Sequence, residues 1–166
     1  GVEKDAINEI EPQEKEDRFC YLGIKVIREY GQYEKETTVA AGAYENQSRR
    51  IVIATGVHTT VPDISGLSDV KYYTNQTIFD LTKKPEHLLV LGGGPVGVEL
   101  AQAFARLGVN VTIFEKRKLL SNFSRKQVEI LRVSLVEDGV SLKEDICVNN
   151  ISKVGGKLVV QLTNDD

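Results

Sequence analysis

The sequence predicts an α/β fold built on a parallel sheet, and three observations carry the prediction. First, Leu88-Leu89-Val90-Leu91 is a short apolar run that stops at Gly92-Gly93-Gly94. A short run with no polar alternation fits a strand covered on both faces. Second, the pattern turns helical from Pro95, with Leu100, Phe104 and Leu107 on one stripe, Val98, Ala101 and Ala105 beside it, and Gly108 as a stop. Third, Val109 to Phe114 is another apolar strand, and it closes on Glu115. Strand, helix and strand in this order make a βαβ unit, whose helix returns the chain so that the strands run parallel.

The turn between the first strand and the helix has its own chemistry. Gly92, Gly94 and Gly97 stand as G-x-G-x-x-G. The first lets the chain leave the strand sharply. The second lets a diphosphate approach the backbone, and the third lets helix and strand pack closely. The free N–H groups and the dipole of the helix N-terminus face such an anion. Pro95 suits the first helical position, where an N–H has no internal use. Glu115 lies roughly 20 residues past the loop, where a carboxylate takes the ribose hydroxyls of a dinucleotide. A glycine-rich surface turn explains the loop taken alone, but not the ordered strand, helix, strand and acid around it. The reading is a Rossmann-like, dinucleotide-binding domain with a parallel sheet and a β-meander.

Residues 1–18 are dominated by charge, with Val2, Ile7 and Ile10 on one side of a possible short helix and Pro12 as a break. Glu14 to Leu22 fits a second helix closed by Gly23. Ile24 to Tyr33 alternates in part and is expected to be a strand with a bend near Gly31. Thr37 to Ala40 and Ala43-Tyr44 suggest two short strands around Ala41-Gly42. Arg49 to Gly56 is expected to be a buried strand, because Ile51 to Ala54 is wholly apolar. Val57 to Gly66 is a loop with Pro62, and Thr74 or Asn75 caps a helical turn through Ile78, Phe79 and Leu81.

Beyond Glu115 comes the basic run Lys116-Arg117-Lys118. Ser124 and Gln127 then have capping-box spacing for a helix carrying Val128, Leu131 and Leu135 on its buried stripe, with Gly139 as its stop. Val140 to Leu142 is a third strand. Residues 146–149 and 157–162 form a hairpin around Gly155-Gly156.

Composition excludes several classes. The chain has 166 residues, 41% of them hydrophobic, enough for one domain and part of another. A net charge of −3 offers no basic surface for nucleic acid. No apolar run reaches membrane-spanning length, and no signal peptide is seen. Cys20 and Cys147 form no C-x-x-C pair, which suits a reducing, cytoplasmic setting. With only His58 and His87, no His/Cys metal cluster is expected. Tyr21-x-x-x-Lys25 has the spacing of the short-chain dehydrogenase pair, but it precedes the glycine loop, so chance is the better explanation.

Three stretches together resemble the flavin-dependent pyridine nucleotide–disulfide oxidoreductases, on the dihydrolipoamide dehydrogenase and mercuric reductase side of that family. Ile51 to Gly66 is similar to the segment that leaves the family's FAD domain. Tyr73 to Leu81 and Pro85 to Gly108 are similar to the entry into its NAD(P)H domain. The resemblance implies a partial FAD-domain β-meander over residues 1–66 and an NAD(P)-binding domain over residues 67–166, incomplete at its C-terminal end. It places the dinucleotide pyrophosphate at Gly92, Gly94, Val96 and Gly97, and the helix-start Glu99 beside the nicotinamide. Pro95 occupies a position that is an aromatic gate in some members. Thr55 and Gly56 fall near the FAD ribityl–pyrophosphate region.

Gly97 and Glu115 favour NAD over NADP, while Lys116 and Arg117 keep a 2′-phosphate open as an alternative. The family's FAD fingerprint, redox cysteine pair and interface domain find no match. The resemblance therefore implies a segment that positions NADH for hydride transfer to FAD, contributes no catalytic residue and is inactive alone, with FAD belonging to the intact enzyme. A non-catalytic dinucleotide-binding or assembly module is the alternative; a flavin-independent dehydrogenase ranks last, because no proton-transfer residue follows the loop. The open sheet edge predicts self-association, with a dinucleotide as the small-molecule partner.

Overall fold

The computed structural model describes residues 15–164. The chain forms two compact units, divided between Gly56 and Val57. The expected helix around Val2, Ile7 and Ile10 lies outside the described residues.

In the first unit, α1 spans Glu16–Tyr21 and is followed by a three-stranded antiparallel meander, β1 (Gly31–Lys35), β2 (Thr38–Ala41) and β3 (Tyr44–Gln47). The expected strand from Ile24 is shorter than its pattern. β2 has four residues, and its register with β1 ends where Ala41 meets Gly31, so among the described residues no strand pairs with Ile24 to Tyr30. The expected buried strand over Arg49 to Gly56 is absent. Ser48 donates its hydroxyl to Arg50 carbonyl oxygen at 2.7 Å, and among the described residues no strand pairs with Ile51 to Gly56. Val52 and Ile53 are exposed. An apolar run states a demand for burial, and this one meets no partner here. Tyr21, half of the Tyr21/Lys25 pair, is exposed at the end of α1, and Lys25 sits over the Tyr44 ring.

In the second unit, β4 (His87–Leu91), α2 (Pro95–Arg106), β5 (Asn110–Phe114), α3 (Arg125–Glu137) and β6 (Val140–Lys143) build the expected parallel sheet in the order β4-β5-β6. His87 pairs with Asn110, Leu91 with Phe114 and Val111 with Val140. Val111, Thr112 and Ile113 are all buried, as expected of a strand covered on both faces. Val98 and Ala101 from α2, Val128 and Leu135 from α3, Leu119, and the β5 residues form one core. The buried stripe of α2 is rotated from its expected centre: Leu107, at the C-terminal cap, is exposed, while Phe104 and Ala105 pack on the core.

Ser124 caps α3 in position, but its side chain makes no capping bond; its carbonyl oxygen accepts from Gln127 and Val128 N–H. After β6, β7 (Ile146–Val154) and β8 (Lys157–Asn164) form the expected hairpin, longer than its apolar core. Both turn residues, Gly155 and Gly156, have positive φ, as the tight two-residue turn requires. The turn at Ile78–Asp80 is capped by Thr77 rather than by Thr74 or Asn75; Thr74 lies one turn earlier, accepting Ile78 N–H at its carbonyl and Gln76 N–H at its hydroxyl. The segment before it is tied to the hairpin, since Ile151 donates to Ser65 carbonyl oxygen at 2.9 Å. No described helix is long and apolar enough to cross a membrane.

Candidate functional site

The site lies at the C-terminal end of the parallel strands, where the chain leaves β4 and enters α2. Gly92 has φ 106 and donates its N–H to Phe114 carbonyl oxygen at 2.8 Å, so the corner begins while the strand ladder is still intact. A Cβ on Gly97 would lie 2.2 Å from Gly92 carbonyl oxygen and 3.4 Å from Val90, so α2 sits against the corner more closely than any side chain permits. Gly94 differs. Its φ is −76, any residue could adopt its backbone, and a Cβ there would meet nothing within 4 Å. The fold does not require glycine at 94, and the space beside it is open.

The first bond inside α2 runs from Val98 N–H to Gly94 carbonyl oxygen at 3.0 Å. The N–H groups of Val96 and Gly97 therefore stand in the first turn, with no helical carbonyl before them. Together with the helix dipole they favour an anion. Pro95 stands at the start of the helix, as expected. Glu99 is exposed one turn on, beside a hollow that also touches Pro95, Phe123 and Leu131.

Glu115 ends β5 on the same side of the sheet as the corner. Gly93 donates its N–H to Glu115 Oε2 at 2.6 Å, and Arg117 donates its N–H to Oε1 at 2.8 Å. Gly93, Gly94, Pro95 and Glu115 thus line one cleft. Its opposite wall is formed by Lys118 and by Leu120 to Phe123. Lys116 and Arg117, the cations singled out by sequence, are exposed and do not line the cleft; Lys118 does, and it is ion-paired with Asp145. Thr55 and Gly56 end the first unit, both exposed.

Sequence reasoning missed both Gly93 and the wall. Gly93 is the middle member of three successive glycines, and a Cβ there would lie 2.8 Å from Leu119 Cδ1. Leu120 donates its N–H to Gly93 carbonyl oxygen at 2.9 Å and has φ 47. Leu119 is fully buried, and its N–H donates to Glu144 Oε1 at 2.6 Å. Arg132 Nη2 lies 2.8 Å from the same carboxylate. That hydrogen bond from Arg132 holds the Glu144 carboxyl below its ordinary range against the opposing effect of burial, with the Leu119 N–H adding to it; the Arg132 guanidinium is pushed up in turn.

Cys20 and Cys147 are free thiols in different units, and no metal-holding cluster of side chains exists among the described residues. The arrangement gathers the free N–H groups of a helix N-terminus, open space at Gly94 and a fixed carboxylate around one cleft.

The family described as pyridine nucleotide-disulphide oxidoreductase matches residues 3–166. A mercuric reductase of Bacillus cereus is 31% identical over 81% of the chain, and one of Streptomyces lividans is 37% identical over 72% of it. The chain spans only 22% and 25% of those two relatives. The solved structure of the HOCl-induced flavoprotein disulfide reductase RclA from Escherichia coli superposes with a TM-score of 0.71 at 29% identity, covering 95% of this chain and 38% of that one. LpdA from Mycobacterium tuberculosis, at 22% identity and a TM-score of 0.65, shares the fold over 89% of this chain and 35% of its own.

Proposed function

The chain belongs to the pyridine nucleotide-disulphide oxidoreductase family, and from that premise we propose that it holds NADH for hydride transfer to FAD within a flavin-dependent oxidoreductase. The bound dinucleotide supplies the hydride. The chain's own residues supply position and charge. The N-terminus of α2 faces the diphosphate, with Val96 and Gly97 N–H groups as donors and Gly94 leaving room for the approach. Glu115 accepts the ribose hydroxyls, and Glu99 stands beside the nicotinamide. Pro95 puts no aromatic ring where the nicotinamide would meet the flavin. No acid, base or nucleophile is assigned, so the chain alone binds NADH and turns over no acceptor.

NADH is preferred to NADPH because a 2′-phosphate would meet the Glu115 carboxylate. Lys118 is the nearby cation that opposes this preference, and its ion pair with Asp145 weakens that opposition.

One observation carries the reading: Gly94 has no internal reason to be glycine, and it faces open space at a helix N-terminus beside a fixed carboxylate. Titration with NADH and with NADPH, followed by nucleotide fluorescence and by the melting temperature, tests it. The expected result is a rise in melting temperature with NADH that exceeds the rise with NADPH. A melt unmoved by either nucleotide leaves the non-catalytic assembly module as the better description, and a flavin absorption band would mean that FAD binds here too.

A further inference from the structure

The cleft wall from Lys118 to Phe123 lies outside any helix or strand. Its backbone geometry is set from elsewhere. Leu119 is fully buried, its side chain fills the space that a Cβ at Gly93 would take, and its N–H donates to Glu144 at 2.6 Å. Leu120 then donates to Gly93 carbonyl oxygen at 2.9 Å from a left-handed conformation that leucine rarely adopts. Glu144 sits in the turn between β6 and β7, with its side chain 15% exposed. It is fixed by Arg132 of α3, which also meets Glu129 at 3.3 Å. A continuous set of contacts therefore runs Arg132, Glu144, Leu119, Gly93, Glu115.

We propose that Glu144 is a positioning residue for the dinucleotide cleft: it holds the Lys118–Phe123 wall against the glycine corner through the Leu119 N–H. The inference rests on the reading of this cleft as an NADH site. Truncation at 144 would leave the N–H of a buried residue without an acceptor and a guanidinium without its main carboxylate. The neighbouring pair Lys118–Asp145 is half-exposed on both sides and cannot substitute, because such pairs contribute little. A wall freed at Leu119 also frees Gly93, and with it one of the two N–H groups that orient Glu115.

The test uses the full 166-residue chain and NADH. Three variants are compared, Glu144→Ala, Glu144→Asp and Glu144→Gln, by NADH affinity and by amide hydrogen exchange of the free proteins. Glu144→Asp keeps the charge but withdraws the carboxylate by one methylene, out of reach of the Leu119 N–H. Ala and Asp variants should bind NADH about tenfold more weakly. Leu119 and Leu120 amides should exchange faster, while amides in the middle of α2 stay protected. Glu144→Gln keeps an acceptor oxygen at the right length and should recover most of the affinity, to within about threefold of wild type.

If Glu144→Ala does not fold, the Asp variant decides. Wild-type affinity in Glu144→Asp, or a loss of affinity with Leu119 and Leu120 exchange unchanged, overturns the inference. A wild-type chain that binds neither NADH nor NADPH overturns the reading of the cleft itself, and that result appears before any substitution is made.

Discussion

Gly93 and Glu115 are joined by a hydrogen bond of 2.6 Å from backbone N–H to Oε2, which pins the carboxylate at the end of β5 across the glycine corner. Arg117 N–H takes the other oxygen at 2.8 Å. Each oxygen keeps a further lone pair, so the carboxylate can still accept hydroxyls while its orientation is fixed in advance.

Glu115→Gln should therefore lose more than charge. An amide has one oxygen, so its NH2 group must face one of the two backbone donors. NADH affinity is expected to fall about ten- to 150-fold, the range of one lost charged hydrogen bond. Glu115→Ala should also narrow the preference for NADH over NADPH. Fluorescence titration with both nucleotides measures this, and tighter NADPH binding by the unaltered chain would contradict the role given to Glu115.

Gly94 and Gly97 should respond in opposite ways, although both belong to the same motif. Gly94→Leu meets open space and an ordinary backbone, so the melting temperature should stay within a few degrees of wild type. Its side chain fills the approach of the diphosphate, so NADH binding should be lost. Gly97→Ala drives a methyl group to 2.2 Å from Gly92 carbonyl oxygen, which neither backbone can yield without shifting. A loss of about 2–4 kcal/mol is expected for such overpacking, read as a drop in denaturant midpoint. Wild-type NADH binding by Gly94→Leu would mean that the space at Gly94 is not where the ligand lies.

The contrast between these glycines marks how far the sequence could be read. The β4, α2 and β5 unit was legible because its signals are local: an apolar run, a helical period, a glycine spacing and a closing acid within one short stretch. The hairpin at Gly155-Gly156 was legible for the same reason. Ile51 to Ala54 misled, because an apolar run specifies burial without naming the strand that provides it. The cleft wall was not legible at all. Leu119 is held by Glu144, 25 residues later, and nothing in a Leu-Leu pair marks one leucine for full burial and the next for positive φ. The cation beside the cleft, Lys118, directly follows the two named from sequence, since three consecutive basic residues do not reveal which one faces inward.

Gly66 has φ 76, and a Cβ there would lie 2.0 Å from Ile151 carbonyl oxygen. The segment at Ser65 docks on β7 only because residue 66 lacks a side chain, with Ile151 N–H bonded to Ser65 carbonyl oxygen. Gly66→Ala should destabilise the second unit by about 2–4 kcal/mol, through strain at positive φ and the backbone clash together. Chemical denaturation measures this. An unchanged midpoint would show that the 65–67 segment is not docked on β7 in solution.

The Arg132–Glu144 pair sets an acid limit on stability. The hydrogen bond from Arg132 holds the Glu144 carboxyl below its ordinary value of 4.5, with Leu119 N–H and the Lys118 charge acting in the same direction and burial opposing them. The folded chain thus binds this proton more weakly than the unfolded chain. The pair's contribution is fully present above the unfolded value and disappears as pH falls through the lowered folded one. Arg132 stays charged throughout, so its own raised value adds nothing to the slope. Glu144→Gln has no proton to gain in that interval. Its stability deficit against wild type, measured by urea denaturation, should be largest near neutrality and should shrink as the pH falls below the ordinary carboxylate range. Glu129 also approaches Arg132, but its side chain is 67% exposed, and such exposed pairs contribute little to stability. If wild type and Glu144→Gln lost stability in parallel on acidification, Glu144 would not be ionised and bonded in the folded state as the geometry requires.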